Sequence, residues 1–135
     1  MPLQWTQALS VGIPEIDAQH QELFRRVDRL LQATLADDHR EAEAMLAFLG
    51  EYVATHFSTE ERFMEEVGYP GLDRHRAEHE RFAADLRALD RDVAAGGSVL
   101  GLVGRLNRQV GDWLLGHVCV TDMALGHFAS RARRP

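Results

Sequence analysis

The chain has 135 residues, 45% hydrophobic and 27% charged, an ordinary globular composition with length for one domain and a real core. Its formal net charge of −6 argues against a nucleic-acid partner, which needs a basic surface; the tail residues Arg131, Arg133 and Arg134 are basic but short of a patch, with no interleaved aromatics. The single Cys119 forms no intrachain disulfide, no stretch reaches the roughly 20 apolar residues of a membrane span, and residues 1–12 lack a basic-then-apolar leader, so a cytoplasmic protein without a membrane partner is expected.

A single domain over residues 1–135 is predicted, with an N-terminal arm at 1–14 and a four-helix bundle at 15–130. In the arm, Trp5, Leu9, Val11 and Ile13 are apolar without helical period and are expected to lie over the bundle. Ile16, His20, Leu23, Val27, Leu30, Leu31 and Thr34 then recur at steps of three and four, the signature of an amphipathic helix, with Asp17 as candidate N-cap and an end at Asp37-Asp38. Met45, Leu46, Leu49, Val53, His56, Glu60, Phe63 and Val67 form a second stripe, stopped by Gly68-Tyr69-Pro70-Gly71. Leu72, His75, His79, Phe82, Leu86, Leu89 and Val93 form a third, stopped by Gly96-Gly97. Val99, Leu102, Val103, Leu106, Val110, Trp113, Leu114, His117 and Val118 form the fourth. Short loops make neighbouring helices antiparallel, so the predicted fold is all-α, up-down-up-down. The fourth helix carries Gly101, Gly104, Gly111 and Gly116, each costing about 1 kcal/mol relative to alanine. It is read as a poor helix held by packing, with close backbone approach or local opening at Gly116, beside His117, as the sharper alternative.

Five of the seven histidines interrupt these apolar stripes. His56 and Glu60 are four apart, as are His75 and His79, so each pair shares one helix face; His20 and His117 take inward positions on the first and fourth helices. Buried imidazoles and carboxylates are costly without partners, and a shared metal centre partners all of them. Asp122 is the awkward member, because five residues turn about 140° round an ideal α-helix. For His117 and Asp122 both to be ligands the helix must distort, and irregular, π-type hydrogen bonding is predicted between residues 116 and 123. If Glu60 and Asp122 each bridge two metals, one metal has three nitrogens and two oxygens and the other two and two. A shared oxide or hydroxide completes the first and leaves one position open on the second. Imidazole, carboxylate and water-derived oxygen suit iron, with manganese possible and zinc, which prefers four ligands, a poor fit. His39 is read as a solvated loop residue, His127 as outside the site, and Cys119 as a small core or interface residue facing away from it.

The stretches SVGIPEIDAQH ending at His20, HFSTEERFM starting at His56, YPGLDRHRAEH ending at His79 and WLLGHVCVTD ending at Asp122, together with Trp5, resemble the hemerythrin family, and within it the single-domain bacteriohemerythrins. The resemblance spans nearly the whole chain. It implies a non-haem di-iron centre that binds O2 reversibly. By position, His75, His79 and His117 resemble the ligands of the saturated iron, His20 and His56 those of the iron with the vacancy, and Glu60 and Asp122 the bridging carboxylates. Leu23, Trp113, Leu114 and Val118 resemble the lining of the O2 pocket. The chain departs from the family at Met123, where lysine is common, and at Leu125, where an aromatic often lies.

O2 is thus the expected partner, for storage, delivery or sensing, with no enzymatic role expected beyond weak oxidase or peroxidase activity. Two other readings use the same donors: a di-iron oxidase or peroxidase, and a bundle that buffers iron or senses redox state through metal occupancy. The Glu-x-x-His pairs of ferritin-like di-iron proteins are absent from this sequence.

Overall fold

The computed structural model describes residues 4–96, 98, 101 and 105–132. Three long helices, α1 (Pro14–Leu35), α2 (His39–Val67) and α3 (Leu72–Ala94), are followed by α4, a continuous helical run through residues 106–132. No strand occurs among the described residues, and no described helix is long and apolar enough to cross a membrane. Val99, Leu102 and Val103 of the predicted fourth seam, with Gly97 and Gly104, lie outside the described residues.

Local chemistry sets the helix ends. Pro14 opens α1, where its missing N–H costs nothing, and Glu15 and Asp17 face the positive end of the helix dipole. Asp17 is therefore a first-turn residue, not the N-cap. Its carboxylate instead ties down the arm, accepting from Ser10 Oγ at 2.5 Å and from the Val11 amide at 2.8 Å. Asp38 caps α2, accepting from the Glu41 amide at 3.1 Å. Gly68 ends it in the left-handed conformation, φ 66°, with the Tyr69 amide donating to Met64 O and the Gly68 amide to Glu65 O, the paired bonds of a Schellman motif. His39 opens α2 rather than lying free in a loop, and its Nε2 contacts the Val93 carbonyl at 3.0 Å, joining the start of α2 to the end of α3.

The core shows the antiparallel order directly. One apolar cluster joins Leu23 and Leu30 of α1 to Met45 and Leu49 near the start of α2, Leu86 and Val93 near the end of α3, and Val110 and Leu114 early in α4. The second, at the opposite end, joins Ile16, Met64, Leu125 and Ala129 with Val11 and Ile13 of the arm. Starts of α1 and α3 thus meet ends of α2 and α4. Trp5 and Leu9 pack less fully, against the first cluster.

The close-approach glycine is Gly126, not Gly116. Among the described residues nothing lies within 4 Å of where a Gly116 Cβ would stand, whereas a Cβ on Gly126 would overlap the Val11 carbonyl oxygen. The arm's backbone lies directly on α4 because position 126 has no side chain. Gly126→Ala should lift the arm and destabilise the protein by about 1–3 kcal/mol, the usual cost of overpacking. Gly50→Ala, in the middle of α2 with open space around its Cβ, should stabilise by about 0.5–1 kcal/mol. Denaturant midpoints of the two variants check both signs.

Candidate metal centre

Between the two apolar clusters the structure gathers His20, His56, Glu60, His75, His79, His117 and Asp122, none more than 4% exposed. His20 comes from the second turn of α1, His56 and Glu60 from the later half of α2, and His75 and His79 from the start of α3. His117 and Asp122 come together because α4 is not α-helical there. It has π-type pairing over Leu106–Asp112, an α-turn over Trp113–Gly116 and π-type pairing again over His117–Asp122. An i-to-i+5 bond widens the turn, so a five-residue step nearly closes one turn and both side chains face inward. The distortion expected between 116 and 123 is present; the earlier π segment was not foreseen.

The donor atoms form two overlapping groups, each within 4.8 Å: Glu60, His75, His79, His117 and Asp122, and His20, His56, Glu60 and Asp122. In the first, Nε2 of His117 lies 3.1 Å from Nε2 of both His75 and His79. Asp122 Oδ1 is 3.0 Å from Nε2 of His75 and of His117, while its Oδ2 is 2.9 Å from His20 Nε2. Glu60 Oε1 lies 3.2 Å from His79 Nε2 and 3.3 Å from His56 Nε2. These separations match the cis edges of an octahedron, since donors about 2.1 Å from a metal stand about 3.0 Å apart. Despite the short distances, among the described residues none of the four oxygens of Glu60 and Asp122 has a hydrogen bond of good geometry. Two buried carboxylates facing converging imidazole nitrogens, without donors of their own, fit a pair of metal ions.

Residues outside the donor set fix the rings. His56 Nδ1 donates to Gln19 Oε1 at 2.7 Å, and Gln19 Nε2 donates to Thr59 Oγ1 at 3.3 Å. His79 Nδ1 donates to Glu61 Oε2 at 3.0 Å, while Glu61 Oε1 accepts from Arg76 Nε at 2.9 Å. With Nδ1 carrying the proton, Nε2 of each ring turns its lone pair inward. Phe57 stacks on His79 (centroids 3.7 Å apart) and Trp113 on His117 (4.4 Å), with Phe82 behind Trp113 (4.0 Å). Sequence reasoning missed Gln19, Glu61 and Phe57. A faint signal existed, because Gln19 directly precedes His20 and Glu61 directly follows Glu60.

The electrostatics make the centre cation-seeking. Burial alone would raise the Glu60 carboxyl, but the charge of His56 and contacts from His117, His56 and His75 hold it well below the usual range. Burial and Glu60 push Asp122 up, yet His117 and His20 bring it below its ordinary value. Burial disfavours charge on His75 and His117, but Asp122 and Glu60 outweigh it and raise them to about 9 and about 10.

A small cavity adjoins the second group, walled by Leu23, Val27, Leu49, Val53, Phe57, Phe82, Trp113 and Leu114, with His20, His56, His117 and Asp122 as its polar residues. About 10 Å³ is open to the centre of a water-sized molecule, room for about one small molecule. Leu23, Trp113 and Leu114 line this cavity. Val118 does not line the cavity and is fully buried in the apolar cluster instead. His127 is exposed and outside both donor groups. Cys119 faces away from the centre but is exposed, not buried, because the inward His117 and Asp122 bracket it on the outer side of the helix.

Comparison with known proteins agrees with this geometry. The sequence model of the Hemerythrin HHE cation binding domain matches residues 11–128. A bacteriohemerythrin of Ralstonia nicotianae is 32% identical over 120 residues, covering 89% of this chain and 83% of that protein. One of Methylococcus capsulatus is 29% identical over 125 residues, covering 92% and 94%. A crystal structure of wild-type hemerythrin superposes with a TM-score of 0.86 at 29% identity, covering 96% of this chain and 99% of that one. The chain belongs to the hemerythrin family.

Proposed function

We propose that this chain binds O2 reversibly at two non-haem iron ions. His75, His79 and His117 would hold one ion and His20 and His56 the other, with Glu60 and Asp122 as donors shared between the two groups. The observation that carries this reading is Asp122, whose two oxygens face opposite imidazole groups at 3.0 and 2.9 Å without a hydrogen bond to either. When bound, a di-ferrous pair with one open position supplies the electrons for taking up O2 and recovers them when O2 leaves.

The chain's own residues hold the donors and exclude water. The five imidazoles are neutral donors, so among the chain's own ligands only Glu60 and Asp122 bring charge. Such a set stabilises a di-ferric charge less than a carboxylate-rich site does, which favours release of O2 over its use as an oxidant. Leu23, Leu49, Leu114 and Phe57 present hydrocarbon to the cavity, so water entering there gains few hydrogen bonds. The polar residues on that cavity are His20, His56, His117 and Asp122, the donors themselves, and among the described residues no Tyr or Ser lines it to deliver further protons. The site is built to retain and return a small apolar molecule.

The test is optical. Iron-loaded, reduced protein should change its spectrum on exposure to air and recover it under vacuum through repeated cycles, without consuming added reductant. Failure to recover, or steady consumption of the reductant, would favour an oxidase or peroxidase. Leu114→Ala, which opens the wall beside His117, should shorten the lifetime of the O2-bound protein about tenfold, equivalent to lowering the barrier to water entry by about 1.4 kcal/mol. An unchanged lifetime would remove Leu114 from the barrier.

Proton binding gives a separate check. In the metal-free protein His75 and His117 are raised, so the stability they contribute is full below their unfolded value of about 6.5 and is lost as pH rises towards 9–10. Glu60 and Asp122 are lowered, so theirs is present above about pH 4.5 and lost on acidification. Metal-free protein should therefore melt highest between about pH 4.5 and 6.5. Metal ions replace the protons on the imidazoles, so the gap in Tm between loaded and metal-free protein should widen from pH 6 to 9. A gap independent of pH would mean that metal and protons do not share these nitrogens.

A further inference from the structure

The two donor groups differ in what stands behind their rings. On the three-histidine side, His79 Nδ1 donates to the Glu61 carboxylate at 3.0 Å. Arg76 orients that carboxylate with Nε at 2.9 Å, and its other arm reaches Glu65 at 3.0 Å. A second carboxylate, Glu78, places Oε1 3.8 Å from His117 Nδ1 and is held by the Thr121 hydroxyl at 3.2 Å. On the two-histidine side, His56 Nδ1 donates to the neutral amide oxygen of Gln19 at 2.7 Å; among the described residues the other three Nδ1 atoms, of His20 on this side and of His75 and His117 on the other, have no hydrogen-bond partner, so the contrast rests on Glu61 against Gln19. A carboxylate accepting Nδ1–H pushes electron density towards Nε2 and strengthens it as a metal donor; an amide does so much less. The side with more imidazoles thus also has the anionic support, and the poorer side opens on the cavity.

We propose that Glu61 and Gln19 are positioning residues that give the two halves unequal grips on metal, Glu61 making the three-histidine half the retentive one and Gln19 leaving the two-histidine half exchangeable. This rests on the two-iron reading above. Iron then enters the three-histidine half first and leaves it last, and a protein with one iron per chain is an intermediate of both assembly and loss. Donor number alone would also favour the three-histidine half; the charge of Glu61 adds to that difference and can be removed by itself. Glu61→Gln keeps the side-chain length and an oxygen for Nδ1–H while deleting the charge. Gln19→Glu adds a charge to the other half.

The test follows iron release from the iron-loaded, reduced chain into excess 2,2′-bipyridine without O2. Wild-type protein should lose its iron in two phases of about equal amplitude. Glu61→Gln should speed the slow phase by about 10–100-fold, the usual effect of losing an outer-shell partner, and leave the fast phase alone. Gln19→Glu should slow the fast phase by about tenfold and leave the slow phase alone. A general loosening of the bundle would speed both phases together. Single-phase release from wild-type protein, equal changes in both phases, or no change in either variant would overturn the assignment. Fewer than two irons per loaded wild-type chain would overturn the two-iron reading itself, and is seen before any chelator is added.

Discussion

Two carboxylates sealed in the middle of a helical bundle set the terms for everything else in this protein. Glu60 and Asp122 are 0% and 1% exposed, and their four oxygens lack hydrogen-bond donors of good geometry. A buried anion without a partner is among the costliest features a core can carry. What surrounds these two is a shell of imidazole nitrogens at about 3 Å. Neutral imidazoles with inward lone pairs would repel one another and the carboxylates. The arrangement is stable only with cations at its centre, whether protons on His75 and His117 or metal ions between the donors.

The bundle is organised to meet that requirement. The apolar clusters on either side of the centre clamp four helices at a fixed rotation, so that six donors arrive by ordinary α-helical spacing. The seventh arrives only because α4 adopts π-type pairing from His117 to Asp122. Close docking of the arm on Gly126 and the Asp17 clamp on Ser10 and Val11 close the bundle end beyond the distorted turn. The stacks of Phe57 on His79 and Trp113 on His117 do double service: they pin ring planes and keep the cavity side apolar.

How much of this was legible in the sequence follows from which interactions are periodic. Ile16, His20 and Leu23 share one seam, as do His75, His79 and Phe82, so the helices and the inward donors could be read from steps of three and four. The π-turn was readable only because Asp122 breaks that period while the chemistry still demands it. The earlier π segment, with no ligand pair to betray it, was not. Gln19, Glu61 and Glu78 lie on polar flanks of their helices, where sequence alone cannot tell a solvated side chain from one reaching a neighbouring helix. Val118 shows the reverse limit: it lies four residues beyond Leu114 on the same stripe, yet it packs into the apolar cluster and not against the cavity. Gly116 and Gly126 are likewise indistinguishable by composition, and only the path of the arm separates them.

If the seven donors enclose two metal ions, with Asp122 and Glu60 between them, anomalous scattering at the iron edge from a crystal of the iron-loaded protein should locate both. Two peaks about 3.5–4 Å apart are expected, one inside the ring of His75, His79 and His117 and the other beside His20 and His56, with the two carboxylates between. A single peak, or iron bound away from Asp122, would contradict this arrangement.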